Sequence, residues 1–209
     1  VSGDIGCYTL GSLPPLAALH STICMGASVT IFESFSRYIG HEKTVGVLGD
    51  STFVHSGITG LINAAYNKGK GVLLILDNGT TGMTGAQPNP ATGVTAKGEK
   101  TKKLDLEAIC KACGADHVEV VDLSSESIDI KLKELLPKDQ LSVLIVRYSL
   151  CKLIDRTKLP APKFDAGKCK KCYMCVSVDC PAIFKNESGD IQLNAELCAG
   201  CDVCVAMCK

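Results

Sequence analysis

Eight of the chain's 13 cysteines fall between Cys169 and Cys208, in the runs Cys169-x2-Cys172-x2-Cys175-x4-Cys180-Pro181 and Cys198-x2-Cys201-x2-Cys204-x3-Cys208. Three thiols spaced by two residues wrap a short loop around one cubic iron–sulfur cluster, and where two such runs occur the distant fourth cysteine ligates the other cluster. The repeat therefore points to two [4Fe-4S] clusters. One would rest on Cys169, Cys172, Cys175 and Cys208, the other on Cys180, Cys198, Cys201 and Cys204. The first run has one residue more than usual before its fourth cysteine, and Cys208 is followed by Lys209 without a proline, so the fourth ligand of each cluster stays open. Zinc is the rival, but its sites usually draw two ligand pairs, often with histidine, and no histidine lies beyond His117. A segment of this size holds too little apolar core to fold unaided, so the clusters would staple it as well as carry electrons.

The second chemical signal is a pair of oxygen donors. The apolar run Val45–Leu48 ends in Gly49-Asp50-Ser51, and the next, Val72–Leu76, ends in Asp77-Asn78-Gly79. With a helix between them the two runs become parallel strands, which brings Asp50 and Asn78 to the same carboxyl edge of a sheet. A carboxylate and an amide oxygen suit Mg²⁺, which takes its remaining ligands from phosphates and water. Gly49 allows close backbone approach, Ser51 is placed to cap the following helix, and a helix N-terminus favours a phosphate. Taken singly, Gly-Asp and Asn-Gly are ordinary turn dipeptides; the spacing is what makes them a candidate site for a magnesium diphosphate.

These residues need elements to hold them. Strands are expected at Thr44–Leu48, Val72–Leu76, His117–Val121 and Ser142–Arg147, and helices at Cys24–Tyr38, Phe53–Asn67, Asp105–Cys113 and Ser127–Leu136, the last stopped by Pro137. Alternation of this kind describes an α/β unit with an open, mostly parallel sheet. The stretch from Gly79 to Lys100 is rich in Gly, Thr, Pro and Asn and reads as a long functional loop. Leu153–Phe164, with Pro160 and Pro162, reads as the break between units. The expected organisation is 1–154 for the α/β domain, 155–164 for a linker and 165–209 for a small α+β domain.

Composition narrows the function classes. The chain has 209 residues, 46% hydrophobic and 21% charged, with 22 basic and 22 acidic side chains. That balance leaves no global field to draw it onto nucleic acid or anionic lipid. No apolar run approaches a membrane span and nothing at the start reads as a secretory signal, so a cytoplasmic location with no membrane or nucleic-acid partner is the expectation. An odd cysteine count argues against a secreted disulfide scaffold. Val1 opens a segment that already reads as the inside of a folded element, which suggests a piece of a longer protein. Cys110, Cys113 and Cys151 read as core, the Cys-x-x-Cys of the first two lying in a helical stretch without a second ligand pair. His55 reads as satisfied by capping or solvent rather than as a site residue.

The run Gly49-Asp50-Ser51 followed by Asp77-Asn78 resembles the thiamine diphosphate signature, Gly-Asp-Gly with Asn-Asn about 25 residues on, with Ser51 and Asp77 as the two departures. In that family the metal ligands map to Asp50, Asn78 and the Thr80 carbonyl. Together with Gly3-Asp4-Ile5-Gly6-Cys7-Tyr8-Thr9-Leu10-Gly11, Ile23-Cys24-Met25-Gly26-Ala27-Ser28 and Met83-Thr84-Gly85-Ala86-Gln87-Pro88, the chain resembles the alpha subunit of indolepyruvate:ferredoxin oxidoreductases over nearly its whole length. The resemblance implies a sheet of the thiamine diphosphate-binding type followed by a bacterial-ferredoxin-like domain. It further implies oxidative decarboxylation of an aryl 2-oxo acid to an acyl-CoA, with electrons leaving through both clusters to an external ferredoxin. Thiamine diphosphate, Mg²⁺, two [4Fe-4S] clusters and coenzyme A are the implied cofactors and co-substrate, and a beta subunit the implied partner. Cys7, Met25, Gly26 and Thr84 join Gly49, Asp50, Ser51, Asn78 and Thr80 as cofactor contacts by the same resemblance. The catalytic glutamate would sit on a domain absent from this chain, so the chain alone is expected to bind metals without turning over. Pyruvate or 2-oxoglutarate enzymes of the same class, and a non-catalytic electron-transfer subunit, are the alternatives.

Overall fold

The computed structural model of the chain describes residues 1–14, 16–122, 127–147 and 159–208. Contacts divide it into two units, Val1–Ile154 and Asp155–Lys209. In the first, β1 (Val45–Gly49), β2 (Gly71–Asp77), β3 (His117–Asp122) and β4 (Leu141–Arg147) form one fully parallel sheet in the order β1-β2-β4-β3. Each strand lies within one residue of its expected bounds, because β-branched and leucine-rich runs flanked by polar residues have few other ways to bury themselves. β2 and β4 are the inner strands, and their apolar runs are buried on both faces. Alternation sends Leu73, Ile75, Val143 and Ile145 to one face and Val72, Leu74, Leu144 and Val146 to the other.

Helices α1 (Ala27–Ile39), α3 (Ile58–Tyr66) and α4 (Leu106–Ala112) supply Val29, Phe32, Leu61, Leu106 and Cys110 to the first face. Helix α5 (Ile128–Leu135) closes the second through Leu135. Before α1 the backbone of Gly26 is left-handed, with φ at 86°, and a Cβ there would lie 2.4 Å from Ser56 Oγ. That conformation starts the helix at Ala27, three residues later than the periodicity from Cys24 suggests. The helical segment after β1 instead starts early. It runs from α2 (Asp50–Thr52) through a π-helical turn at Phe53–Gly57 into α3, so Ser51 lies inside it and Gly49 occupies the cap position without a side-chain cap. The stretch after Asn78 has more order than its composition implies, with antiparallel bridges Thr81–Gln87 and Val94–Lys100 and with Thr80 and Ala91 buried.

The second unit is small. A hairpin of β5 (Ile183–Lys185) and β6 (Ile191–Leu193), short 3₁₀ turns at Ala166–Lys168 and Val176–Val178, and α6 (Val203–Ala206) are its regular elements among the described residues. Leu159–Phe164 has no regular structure, and Gly200, at φ 68°, presses so close to Leu159 that a Cβ would lie 2.4 Å from the leucine Cβ. Residues 148–158, Cys151 included, lie outside the described part. Among the described residues no helix is long and apolar enough to cross a membrane.

Candidate functional site

The parallel register sets Gly49 opposite Leu76, so the chain leaves β1 and β2 side by side, into Asp50 on one and Asp77-Asn78 on the other. Asp50 is 1% exposed, and its Oδ2 has no hydrogen-bond partner. Burial raises its carboxyl to about 6, with the nearby charge of Asp77 adding to the rise, against a partial offset from the Ser51 amide and the Asn89 side chain. A buried carboxylate oxygen with no donor is costly to leave alone, and a cation is what would satisfy it. Asp77 does not compete for that place, since its Oδ2 accepts from Arg147 Nε at 2.9 Å. Asn78 Oδ1 accepts from the Thr80 amide at 3.2 Å, an Asx turn that folds Thr80 back toward the strand edge. Thr80 itself is 2% exposed and its hydroxyl donates to the Gln87 carbonyl at 3.3 Å.

These residues line a cleft of about 80 Å³ together with Ile5, Gly6, Cys7, Tyr8, Met25 and Thr84. Eight of the nine residues expected to meet the cofactor, Cys7, Met25, Gly49, Asp50, Ser51, Asn78, Thr80 and Thr84, face this one space. Gly26 stands just behind it, buried, with its amide turned to Asp4. Ser51 meets Thr81 hydroxyl to hydroxyl at 2.7 Å, tying the helix start to the loop after Asn78. Thr84 donates to Gln87 Oε1 at 2.6 Å across the same loop. Cys7 lies in a 3₁₀ turn, Cys7–Ser12, close against Gly82. His55 is exposed, pairs with Ser56 Oγ at 3.0 Å, and does not line the cleft.

Asp4 is the residue the sequence reasoning passed over. It is 4% exposed, and its carboxylate accepts the amides of Ile5 and Gly26, both at 2.8 Å, and of Ser28 at 3.0 Å. Those bonds pin the Ile5–Tyr8 wall of the cleft to the Met25 wall. The signal was a buried acid inside an apolar, glycine-rich opening run, which has no use for a charge unless backbone amides await it.

In the second unit, a cavity of about 250 Å³ is bounded by Cys169, Cys172, Cys175 and Cys208, with Cys204 reaching its wall. Burial raises the thiol of Cys175, with Cys208 and Cys169 as its like-charged neighbours. The thiol of Cys204 is raised in the same way, by burial and then by Cys201, Cys180 and Cys198. Among the described residues no three His, Cys, Asp or Glu side chains converge as one mononuclear ion requires. Cys110, by contrast, is fully buried and its thiol is pushed up to about 12 by burial, with Cys113 and Asp105 adding, which leaves it an inert core residue.

Residues 4–146 match the family of thiamine pyrophosphate enzymes, C-terminal TPP binding domain. The chain belongs to this family. Across 98% of its length it is 42% identical to indolepyruvate oxidoreductase subunit IorA of Archaeoglobus fulgidus, covering 34% of that relative. The same subunit of Methanothermobacter marburgensis is 40% identical, with 33% covered, and that of Thermococcus kodakarensis 38% identical, with 35% covered. The resemblance read from the sequence is thus borne out, and the chain spans about a third of the length of the curated relatives it matches. Among solved structures, a 2-oxoglutarate:ferredoxin oxidoreductase from Magnetococcus marinus superposes with a TM-score of 0.59 at 15% identity, over 78% of this chain and 62% of that one. At that identity it supports the α/β fold and nothing finer.

Proposed function

We propose that this chain is the diphosphate-binding and electron-carrying part of a thiamine diphosphate-dependent 2-oxoacid:ferredoxin oxidoreductase acting on aryl 2-oxo acids such as indolepyruvate. The observation that carries the reading is the cleft at the carboxyl edge of β1 and β2, where the buried, unpartnered oxygen of Asp50 faces the turn at Asn78–Thr80. Asp50, the Asn78 side chain and the Thr80 carbonyl would hold Mg²⁺, with diphosphate oxygens and water completing the shell. Cys7, Met25, Gly26, Gly49, Ser51 and Thr84 would lie against the thiamine diphosphate. When bound, that cofactor supplies the carbanion chemistry that decarboxylates a 2-oxo acid and passes an acyl group to coenzyme A.

What the chain's own residues contribute is position and charge. The Asp50 carboxylate, itself buried, would balance the metal where the Coulomb attraction is stronger than in solvent. Asp4 holds the two loop walls at fixed separation, and the Ser51–Thr81 bond ties the loop that carries Thr84 to the helix start. In the second unit Cys169, Cys172, Cys175 and Cys208 would hold one [4Fe-4S] cluster and Cys180, Cys198, Cys201 and Cys204 the other. That gives the two electrons of each turnover a one-at-a-time route to an external ferredoxin. The domain organisation is 1–154, 155–164 and 165–209 in this reading, with Leu159 of the middle span close against Gly200 of the last. The exposed side chains Leu10, Leu13, Leu16, Ile23 and Met83 around the first turn and the cleft are the surface against which the remaining two thirds of the protein, with its activating glutamate, and a beta subunit would close. A cytoplasmic setting, where thiols stay reduced, is part of the same reading.

The test is anaerobic dye reduction by the full-length complex with coenzyme A, comparing indolepyruvate, phenylpyruvate, pyruvate and 2-oxoglutarate. Selective turnover of the aryl acids supports the assignment. Selective turnover of pyruvate or 2-oxoglutarate keeps the chemistry and overturns the substrate, and no turnover from iron-replete complex overturns the enzyme reading.

A further inference from the structure

The two halves of the cysteine-rich unit differ in charge. Around the cavity bounded by Cys169, Cys172, Cys175 and Cys208 stand Lys163, Lys168 and Lys170, all exposed and all lining it, with Asp165 the one acid among the lining residues. Lys163 and Lys170 have no ion-pair partner among the described residues, and Lys168 reaches Asp165 only at 3.8 Å with its side chain 88% exposed. Lys171 is the exception, paired to Asp190 at 2.8 Å. Beside the other set the neighbours are acids: Asp179 precedes Cys180, Glu196 lies two before Cys198 and Asp202 follows Cys201, all exposed. Cover differs as well. Cys172 and Cys208 of the first set are exposed, whereas in the second Cys201 is exposed and Cys198 is buried.

Cluster potential is set by local charge, hydrogen bonds to sulfur and solvent exposure. Hydrogen bonding does not separate the halves: Lys171 N donates to Cys169 Sγ and Gly200 N to Cys198 Sγ, each at 3.4 Å. Charge does separate them. Positive side chains stabilise the reduced, more negative centre, and acids destabilise it, so an electron shared between the two sites settles on the lysine-rimmed one. The same rim, with three lysines to one acid in a chain with no net charge, attracts an anionic surface.

We propose that the cavity of Cys169, Cys172, Cys175 and Cys208 is the exit for electrons and that Lys163, Lys168 and Lys170 dock an acidic one-electron carrier protein there, the Cys180, Cys198, Cys201 and Cys204 site lying upstream. This deepens the reading of the second unit as a two-cluster relay and rests on it. The step balances simply: the reduced exit cluster loses one electron, the oxidised carrier gains one, and no bond or proton moves. The electrons originate from the 2-oxo acid.

The experiment uses the full-length complex and an acidic bacterial-type ferredoxin, with the basic protein cytochrome c as the like-charge control. Iron and acid-labile sulfide are measured first, and iron-free wild-type complex overturns the relay reading itself. With iron present, equilibrium binding of oxidised ferredoxin is measured without substrate across a range of salt. The triple variant Lys163→Glu, Lys168→Glu, Lys170→Glu should raise Kd about tenfold or more at low salt and flatten the salt dependence, with cytochrome c binding strengthened. If the triple variant loses iron, the single variant Lys170→Gln serves, read by a smaller rise in Kd and a downward shift in one of the two midpoint potentials. Unchanged ferredoxin affinity in an iron-replete variant, or a loss of affinity produced instead by Asp179→Lys and Asp202→Lys, overturns the docking assignment while leaving the relay intact.

Discussion

The α/β unit and the cysteine-rich unit solve the problem of holding a charged cofactor in opposite ways. The first has a core that needs no cofactor: Phe32, Phe53, Leu61, Leu73, Ile75 and Ile145 are all fully buried, and burying side chains of this kind is worth about 1.5–3 kcal/mol each. On that frame it can tolerate a carboxylate left unpartnered at the strand edge. In the second, Ala182, Ile183, Ile191 and Cys198 are the buried apolar side chains among the described residues. That is too little to offset the chain entropy of some 45 residues. There the site is not carved into a fold, because its proposed ligands are what fold it.

The contrast breaks most visibly if iron is withdrawn. Chelation or expression without iron should unfold the second unit while the parallel sheet persists, read by hydrogen exchange as full loss of protection at Ile183–Lys185 and Ile191–Leu193 and retained protection in β2 and β4. Equal protection of both units in iron-free protein would mean that the small unit has a core of its own after all. Next in size, Asp50→Asn should abolish measurable Mg²⁺–thiamine diphosphate binding by calorimetry. The same change should raise the stability of the cofactor-free α/β unit, since it removes a buried charge, by something on the order of 2 kcal/mol. A variant both weaker in binding and less stable would show that Asp50 is a structural acid.

The pH dependence follows from the same group. With its carboxyl at about 6 in the fold and about 3.9 unfolded, Asp50 contributes stability that is fully present below about pH 4. That contribution is lost as pH rises through about 6. Mg²⁺ affinity should run the other way, falling as pH drops below about 6, because the metal needs the ionised form. Thermal unfolding and metal titration between pH 4 and 8 should therefore slope in opposite directions for the wild type, and the stability slope should flatten in Asp50→Asn. Asp4 offers the finest comparison. Asp4→Ala strands three amides that are now satisfied and should cost about 2–3 kcal/mol. Asp4→Asn keeps acceptor geometry at one oxygen and should cost less, with cofactor affinity reduced in both. A stability loss without any change in cofactor affinity would show that the walls of the cleft do not depend on this clamp.

Much of this arrangement was legible before any coordinates. The four strands are read from apolar runs such as Val72–Leu76 because a strand buried on both faces has a composition unlike anything around it. The two cysteine runs are legible through spacing, which is a local property of the chain. The early start of the helical segment at Asp50 was not legible, nor was the late start of α1 at Ala27. Gly26 is forced left-handed by the closeness of Ser56, 30 residues away in sequence, and no periodicity encodes that.

Residue type and spacing were thus enough to establish an open parallel sheet, a pair of oxygen donors at one strand edge and eight thiols in two runs, because each of these depends on neighbours along the chain. Folding in three dimensions decided the rest. It left one oxygen of Asp50 buried without a donor, turned Asp4 into a clamp between two loops, and brought Cys208 to the cavity of Cys169, Cys172 and Cys175, with Cys204 on its wall. It also gathered Lys163, Lys168 and Lys170 on one cavity. Burial, desolvation and the pairing of distant thiols are set by what packs against a residue from elsewhere in the chain, and that information exists only once the chain has closed on itself.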